Sequence, residues 1–203
     1  MINLSPPKFF TNMFPGFIWS IPNENNNIYL TFDDGPTETV TPWVLDLLAK
    51  HNVKATFFCL GKKVEMHPEI FERIKNEGHA VGNHSYSHLK GWETPTGQYI
   101  QDVDFANDLI GSKLFRPPYG RIKPAQSKLL RERYKIIMWD LLSMDYSRNT
   151  SRRRCANIVK NGMHSGAIIV FHDSKKAEKN LRYALPRVLE EAKNKGFKFD
   201  VIK

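Results

Sequence analysis

The chain has 203 residues, 41% hydrophobic, 12% aromatic and 25% charged, a globular composition that excludes wholesale disorder. No run of about 18 apolar residues occurs, so no transmembrane helix is expected. Cys59 and Cys155, the two cysteines, lack CxxC spacing and exclude both a disulfide framework and a thiolate zinc site.

Basic residues number 30 against 21 acidic ones, and the net charge of +9 favours anionic partners. The densest basic spot is Arg148 with Arg152, Arg153 and Arg154. On its own such a run reads as a solvated face.

Residues 1–27, rich in Pro and Asn, read as a strap packed on the outside through Phe9, Phe10, Phe14, Phe17 and Trp19. Asn12, Pro15 and Gly16 interrupt its apolar stretch, so no secretory signal is read, and the choice between cytoplasm and export stays open. The remainder, 28–203, reads as one domain of alternating elements.

Ile28–Asp33 is strand-like. Thr41-Pro42 opens a helix, Thr as N-cap and Pro at the first helical position, with Trp43, Val44, Leu47 and Leu48 on its apolar face. Ala55–Leu60 is a buried strand. A helix from Pro68 carries Ile70, Phe71 and Ile74 and stops at Gly78, and His79–Asn83 is a short strand. Thr96–Ile110 is a helix, Lys113–Arg116 a strand, Pro124–Arg133 a helix and Lys135–Asp140 a strand. Ser151–Lys160 is a helix and Ala167–His172 a strongly apolar strand. Glu178–Lys195 is the clearest helix, stopped by Gly196, and Phe197–Ile202 is the last strand. About seven strands alternating with six helices predict an α/β fold with a parallel sheet, open or closed into a barrel.

The polar residues collect at one place in this pattern. Asp33-Asp34 end the first strand, His84 and His88 follow the third, Arg116 ends the fourth, Asp140 and Asp145 follow the fifth, and His172 ends the sixth. In parallel α/β folds the loops after the carboxyl ends of the strands build the active site.

Two histidines four apart, in His84-Ser85-Tyr86-Ser87-His88, suit a divalent ion at about 2.0–2.1 Å per nitrogen. Asp34 offers a third ligand and leaves coordination positions open, as in hydrolytic metal sites. The bend at Gly35-Pro36 lets Asp33 reach the same pocket and accept a proton from water. His172 is suited to protonate a leaving group, with Asp145 as its carboxylate partner and Asp140 or Asp173 as alternatives. Arg116 is suited to hold Asp33 ionised. The other histidines read as solvated (His51, His67, His164) or structural (His79). No G-x-S-x-G, P-loop or GxGxxG is present.

Taken in order, these segments resemble the polysaccharide deacetylase family, the NodB-like carbohydrate esterases. Thr31-Phe32-Asp33-Asp34-Gly35-Pro36 is similar to its first motif, His84–His88 to its second and Arg116-Pro117-Pro118-Tyr119 to its third. Trp139 through Asp145-Tyr146 is similar to the fourth and Val170-Phe171-His172 to the fifth, with coverage from about residue 28 to 202. The resemblance implies a distorted (β/α) barrel of about seven parallel strands, TIM-like, and hydrolysis of an N-acetyl group on a GlcNAc-type sugar such as peptidoglycan or a chitin-like oligosaccharide.

It also implies roles. Asp34, His84 and His88 hold Zn²⁺ or another divalent ion such as Co²⁺. Asp33 is the base, oriented by Arg116, and His172 the acid, tuned by Asp145. The Tyr119 backbone N–H stabilises the oxyanion, and Pro117, Tyr146 and Val170 contact substrate. Tyr146 stands where the family commonly has Trp, and Val170 where it commonly has Leu, both at the acetyl pocket. Trp92 and Tyr86 are candidates for stacking on sugar rings. The expected partner is an N-acetylated glycan met by a monomer, with no nucleic acid and no membrane span. The competing readings are a small-amide hydrolase on the same scaffold and a non-catalytic glycan-binding module.

Overall fold

The computed structural model describes residues 14–203; the packing expected of Phe9 and Phe10 lies outside them. Nine strands form one parallel sheet: β1 (Phe17–Ile18), β2 (Asn27–Asp33), β3 (Thr56–Cys59), β4 (Ala80–Asn83), β5 (Leu114–Phe115), β6 (Lys135–Ile137), β7 (Leu141–Leu142), β8 (Ile168–His172) and β9 (Lys198–Phe199). The helices are α1 (Val40–His51), α2 (Gly61–Met66), α3 (Pro68–Asn76), α4 (Thr96–Ile110), α5 (Pro124–Arg131), α6 (Arg152–Gly162) and α7 (Glu178–Asn194). The strand order is β1-β6-β5-β4-β3-β2-β8-β7, with β9 paired to β2.

This order is a distorted (β/α) barrel. β6 and β7 stand near opposite ends of the order, yet only residues 138–140 separate them, so the chain itself crosses the open seam. Asp140 completes that crossing: its amide donates to the Ile168 carbonyl at 3.4 Å and its carboxylate accepts the Ile168 amide at 3.0 Å. The stretch 17–21 lies over the same seam. Phe17 and Ile18 pair in parallel with Ile136 and Ile137, Ser20 bridges to Ala167, and the Ile21 amide donates to Gly166. The expected strap therefore contributes an edge strand, which its Pro and Asn content concealed.

Residue alternation decides what fills the barrel. Along β2, Ile28, Leu30 and Phe32 pack outward against the helices, while Tyr29 joins the interior cluster with Phe58, Leu114, Ile137 and Ile168. Thr31 and Asp33 follow Tyr29 on the inward face, period two. β8 does the same: Ile169 and Phe171 pack outward, whereas Val170 and His172 share the inward parity of Ile168. The floor of the barrel is therefore apolar and its upper layers become polar. The outward layer is completed by α7, whose Leu181, Ala184, Leu185, Val188, Leu189 and Ala192 are all buried. Burial stabilises each such Leu or Val by roughly 1.5–3 kcal/mol.

The structure corrects several expected boundaries. The stretch Lys135–Asp140 is not one strand, because the seam crossing begins after Ile137. The helix at Gly61–Met66, too short to show a period, was not anticipated. Thr41 does not cap a helix but lies inside α1. Its hydroxyl points inward, donating to the Asp173 carboxylate at 2.6 Å and accepting the Thr37 amide at 2.7 Å.

Candidate active site

Asp33 is the last residue of β2, and Asp34 turns the chain with φ of 79°. On a continuing strand the two carboxylates would face opposite ways. The left-handed turn, which Asp tolerates better than most residues, brings both to one cleft. Gly35 must follow, because a Cβ there would overlap the Asp173 carboxylate.

The pair His84 and His88 sits on a loop, with Ser85 at φ 67° and His88 at φ 59°. The loop is tied down by its own neighbours. Asn83 Oδ1 accepts the Ser85 amide at 2.7 Å, and Ser85 Oγ accepts the His88 amide at 3.0 Å. Asp102 of α4 accepts the Tyr86 and Ser87 amides at 3.0 and 3.2 Å. Positive-φ residues recur around the cleft at Tyr119 and Met144. Such backbone costs about 1–3 kcal/mol each and persists where the surroundings over-determine it.

The ligand atoms of Asp34, His84 and His88 lie within 4.8 Å of one another. Asp34 Oδ1 is 3.3 Å from His88 Nε2 and 3.8 Å from His84 Nε2. His84 Nδ1 is 2.8 Å from the Arg116 carbonyl, which can only accept, so this nitrogen carries the proton and Nε2 keeps its lone pair for a cation. Burial lowers the His84 pKa to about 4, which keeps the imidazole neutral. Burial works to raise Asp34, but the His88 hydrogen bond and the neighbouring imidazoles outweigh it and hold the carboxyl well below the usual carboxylate range. Two imidazoles and one carboxylate at the mouth of a cleft are a donor set that fits a catalytic divalent cation.

Arg116 is fully buried beneath this cluster and joins opposite sides of the barrel. Nη1 donates to Asp33 Oδ1 and to the Thr31 hydroxyl, both at 2.7 Å. Nε and Nη2 donate to the Ile137 and Met138 carbonyls at 3.3 and 2.9 Å, and the guanidinium stacks 4.0 Å above Phe58. A buried guanidinium with this many partners is compensated on every side, and it leaves one edge of Asp33 free for the cleft.

Across the cleft, His172 Nδ1 donates to Asp145 Oδ1 at 2.8 Å, and the His172 amide donates to Asp145 Oδ2 at 2.7 Å. Burial alone would lower His172. The Asp145 carboxylate, helped by Asp34 and Asp33, overrides it and lifts the pKa to about 9. The two alternative partners are engaged elsewhere: Asp140 pairs with His164 at 2.9 Å, and Asp173 takes the Thr41 hydroxyl. His164 is exposed, in line with the solvated reading, and its ring reaches Asp140 at the seam. His79 is structural, its Nδ1 accepting the Ala55 amide at 3.1 Å.

The cleft above these groups has a volume of about 550 Å³ and is lined by Asp33, Asp34, His84, His88, Pro117, Tyr119, Trp139, Leu142, Tyr146, Val170, His172 and three cations, Lys90, Arg121 and Lys176. Arg116 and Asp145 lie behind this wall. The Tyr119 side chain is exposed and packs edge-on against His88, and its backbone amide has no acceptor among the described residues. Tyr146 packs edge-on against His172 at 4.8 Å. Tyr86 is committed to Glu65 at 2.6 Å and to Phe105, whereas Trp92 is exposed beside Arg121. Asn83, Asp102 and Lys176 are site-building residues that pattern reading missed, and Thr31 and Trp139 entered it only as motif members without a role. Thr31 carried a signal, as a polar residue inside an apolar strand; Asp102 carried none, being one acid on a helix.

Comparison with known proteins gives a consistent picture. Residues 20–134 match the family model described as polysaccharide deacetylase. A peptidoglycan-N-acetylglucosamine deacetylase of Bacillus cereus is 36% identical over 191 residues, 90% of this chain and 69% of that protein. A crystal structure of a peptidoglycan N-acetylglucosamine deacetylase in complex with 4-naphthalen-1-yl-N-oxidanyl-benzamide superposes with a TM-score of 0.87 at 33% identity, over 97% of this chain and 95% of the other. A family 4 carbohydrate esterase from Streptomyces lividans in complex with acetate gives a TM-score of 0.80 at 27% identity, over 88% of this chain and 94% of the other.

Proposed function

From its membership of the polysaccharide deacetylase family, to which this chain belongs, we propose that it hydrolyses the N-acetyl group of N-acetylglucosamine units in peptidoglycan. The observation that carries this reading is the convergence of Asp34, His84 and His88 in one cleft, with Asp33 on one side and the Asp145-supported His172 on the other. Binding alone needs neither a poised acceptor nor a poised donor of protons.

Asp34, His84 and His88 would hold a divalent cation, Zn²⁺ by donor type, which when bound acidifies water and polarises the acetamide carbonyl. Asp33, kept in place by Arg116, accepts the proton of the attacking water as its oxygen bonds to the carbonyl carbon. The Tyr119 amide, with no acceptor among the described residues, donates to the oxyanion that develops, a contact of about 3–4 kcal/mol in comparable sites. His172, protonated at neutral pH, gives its proton to the amine nitrogen as the C–N bond breaks, so that acetate and a free amino sugar leave. Val170 and Tyr146 line the wall near His172 and are the residues that would set the room for the acyl methyl.

The test is acetate release from N-acetylglucosamine oligomers, intact peptidoglycan and small amides, with divalent metal and after chelation. Release from the glycans that chelation abolishes is expected. Release from small amides alone would overturn the reading.

A further inference from the structure

A second concavity, of about 600 Å³, adjoins the catalytic cleft and shares Tyr146 and Lys176 with it. Its cations are Arg148, Arg152, Lys176 and Lys179, all exposed. Arg148 and Arg152 of the basic spot noted in the sequence are thus joined in space by Lys176, just before α7, and Lys179, in its first turn. None of the four forms an ion pair among the described residues. The carboxylates close by are already committed: Asp145, at the floor, is bound to the His172 ring and amide, and Glu178 to Arg182 at 2.8 Å. The floor is also fixed, since Asn180 Nδ2 donates to the Asp145 and Thr150 carbonyls at 2.9 and 3.1 Å. Concentrated positive charge beside carboxylates that are bound to other groups, held on a fixed floor and opening onto the cleft, is suited to an anion carried by the substrate.

We propose that this groove is a subsite for a carboxylate borne by the glycan next to the sugar being deacetylated. The inference rests on the deacetylase reading above, whose polymer carries carboxylates on its peptide side chains while its sugars are otherwise neutral. The groove makes the enzyme prefer the acidic, peptide-bearing strand over a neutral oligomer of the same sugar. Its effect falls on substrate binding, because the groove lies beside the reacting atoms and not among them.

The test compares the wild-type protein with an Arg148→Gln/Lys179→Gln variant, loaded with divalent metal, on three substrates: a neutral N-acetylglucosamine pentamer, a peptidoglycan fragment with free carboxyls, and the same fragment with its carboxyls amidated. The variant should lose about tenfold in kcat/KM on the free-carboxyl fragment, through KM, as two exposed charge contacts would supply. It should change less than about twofold on the other two, and added salt should reproduce the loss in wild type. Equal losses on all three substrates, or no loss on the acidic one, would overturn the subsite. Binding of the acidic fragment measured by calorimetry separates the two readings. A tenfold weaker affinity in the variant, with no acetate released from any glycan by wild type, keeps the subsite and removes the deacetylase. Acetate released with no preference among the three does the reverse.

Discussion

The two walls of the cleft each hold a histidine through a hydrogen bond from Nδ1, and they make opposite use of it. His84 donates to a neutral carbonyl, that of Arg116, and burial takes its pKa down to about 4. His172 donates to a carboxylate, that of Asp145, and is lifted to about 9 although burial opposes the shift. Burial disfavours the charged form in both cases; the charge of the partner decides the outcome. One imidazole is thereby kept as a neutral electron-pair donor suited to a cation, the other as a proton donor at neutral pH. The same residue type serves two chemistries within one pocket because its second nitrogen is wired differently.

This contrast can be broken from either wall. The largest effect is expected from His84→Ala, which should lose bound metal and acetate release together, down to the level of chelator-treated protein. Unchanged metal stoichiometry would remove His84 from the ligand set.

Asp33→Asn comes next. It should retain metal while kcat falls by about 10²–10⁴-fold, the usual worth of a positioned base. Acetate release and metal content measured on the same sample check this, and full activity would dismiss Asp33 as the proton acceptor.

Asp145→Asn sharpens the comparison by giving His172 a neutral partner like that of His84. With the charge that raises it removed, the His172 pKa must fall, so the protonated acid is lost at lower pH. The alkaline limb of activity, expected near pH 9 in wild type, should move toward neutrality, and kcat at neutral pH should drop by about 10²-fold. An unmoved limb would mean that another group donates the proton.

The smallest effect lies behind both walls. Thr41→Val removes the hydroxyl bonded to Asp173, a buried carboxyl raised to about 7 by its burial and already short of a partner at Oδ1. It should cost about 1–3 kcal/mol in urea unfolding, with little change in metal binding. A loss below about 0.5 kcal/mol would show that Asp173 finds another donor.

Much of this site was legible in the chain. Asp33, Asp34, His84, His88, Arg116 and His172 each stand at or just beyond the end of an apolar strand, and parallel strands bring such positions to one rim whatever their separation in sequence. The order of the motifs carried the family. Less legible were the elements made of a few residues, such as Phe17–Ile18, Gly61–Met66 and Leu141–Leu142, which are too short to show a period. Thr41 was misread because a good capping residue next to a proline is also a good hydrogen-bond donor to a buried acid.

Composition and strand-end chemistry alone thus determined an α/β fold with acids and imidazoles on one edge, since alternation and turn residues are local properties. Which acid serves which base was a tertiary decision. Asp145 was the first candidate, with Asp140 and Asp173 as alternatives, and it is the folded arrangement of the strand ends that sends Asp140 to His164, Asp145 to His172 and Asp173 to Thr41. The gathering of Arg148 and Arg152 with Lys176 and Lys179 is of the same kind: charges from two separate loop-to-helix junctions become one groove only after β7 pairs with β8.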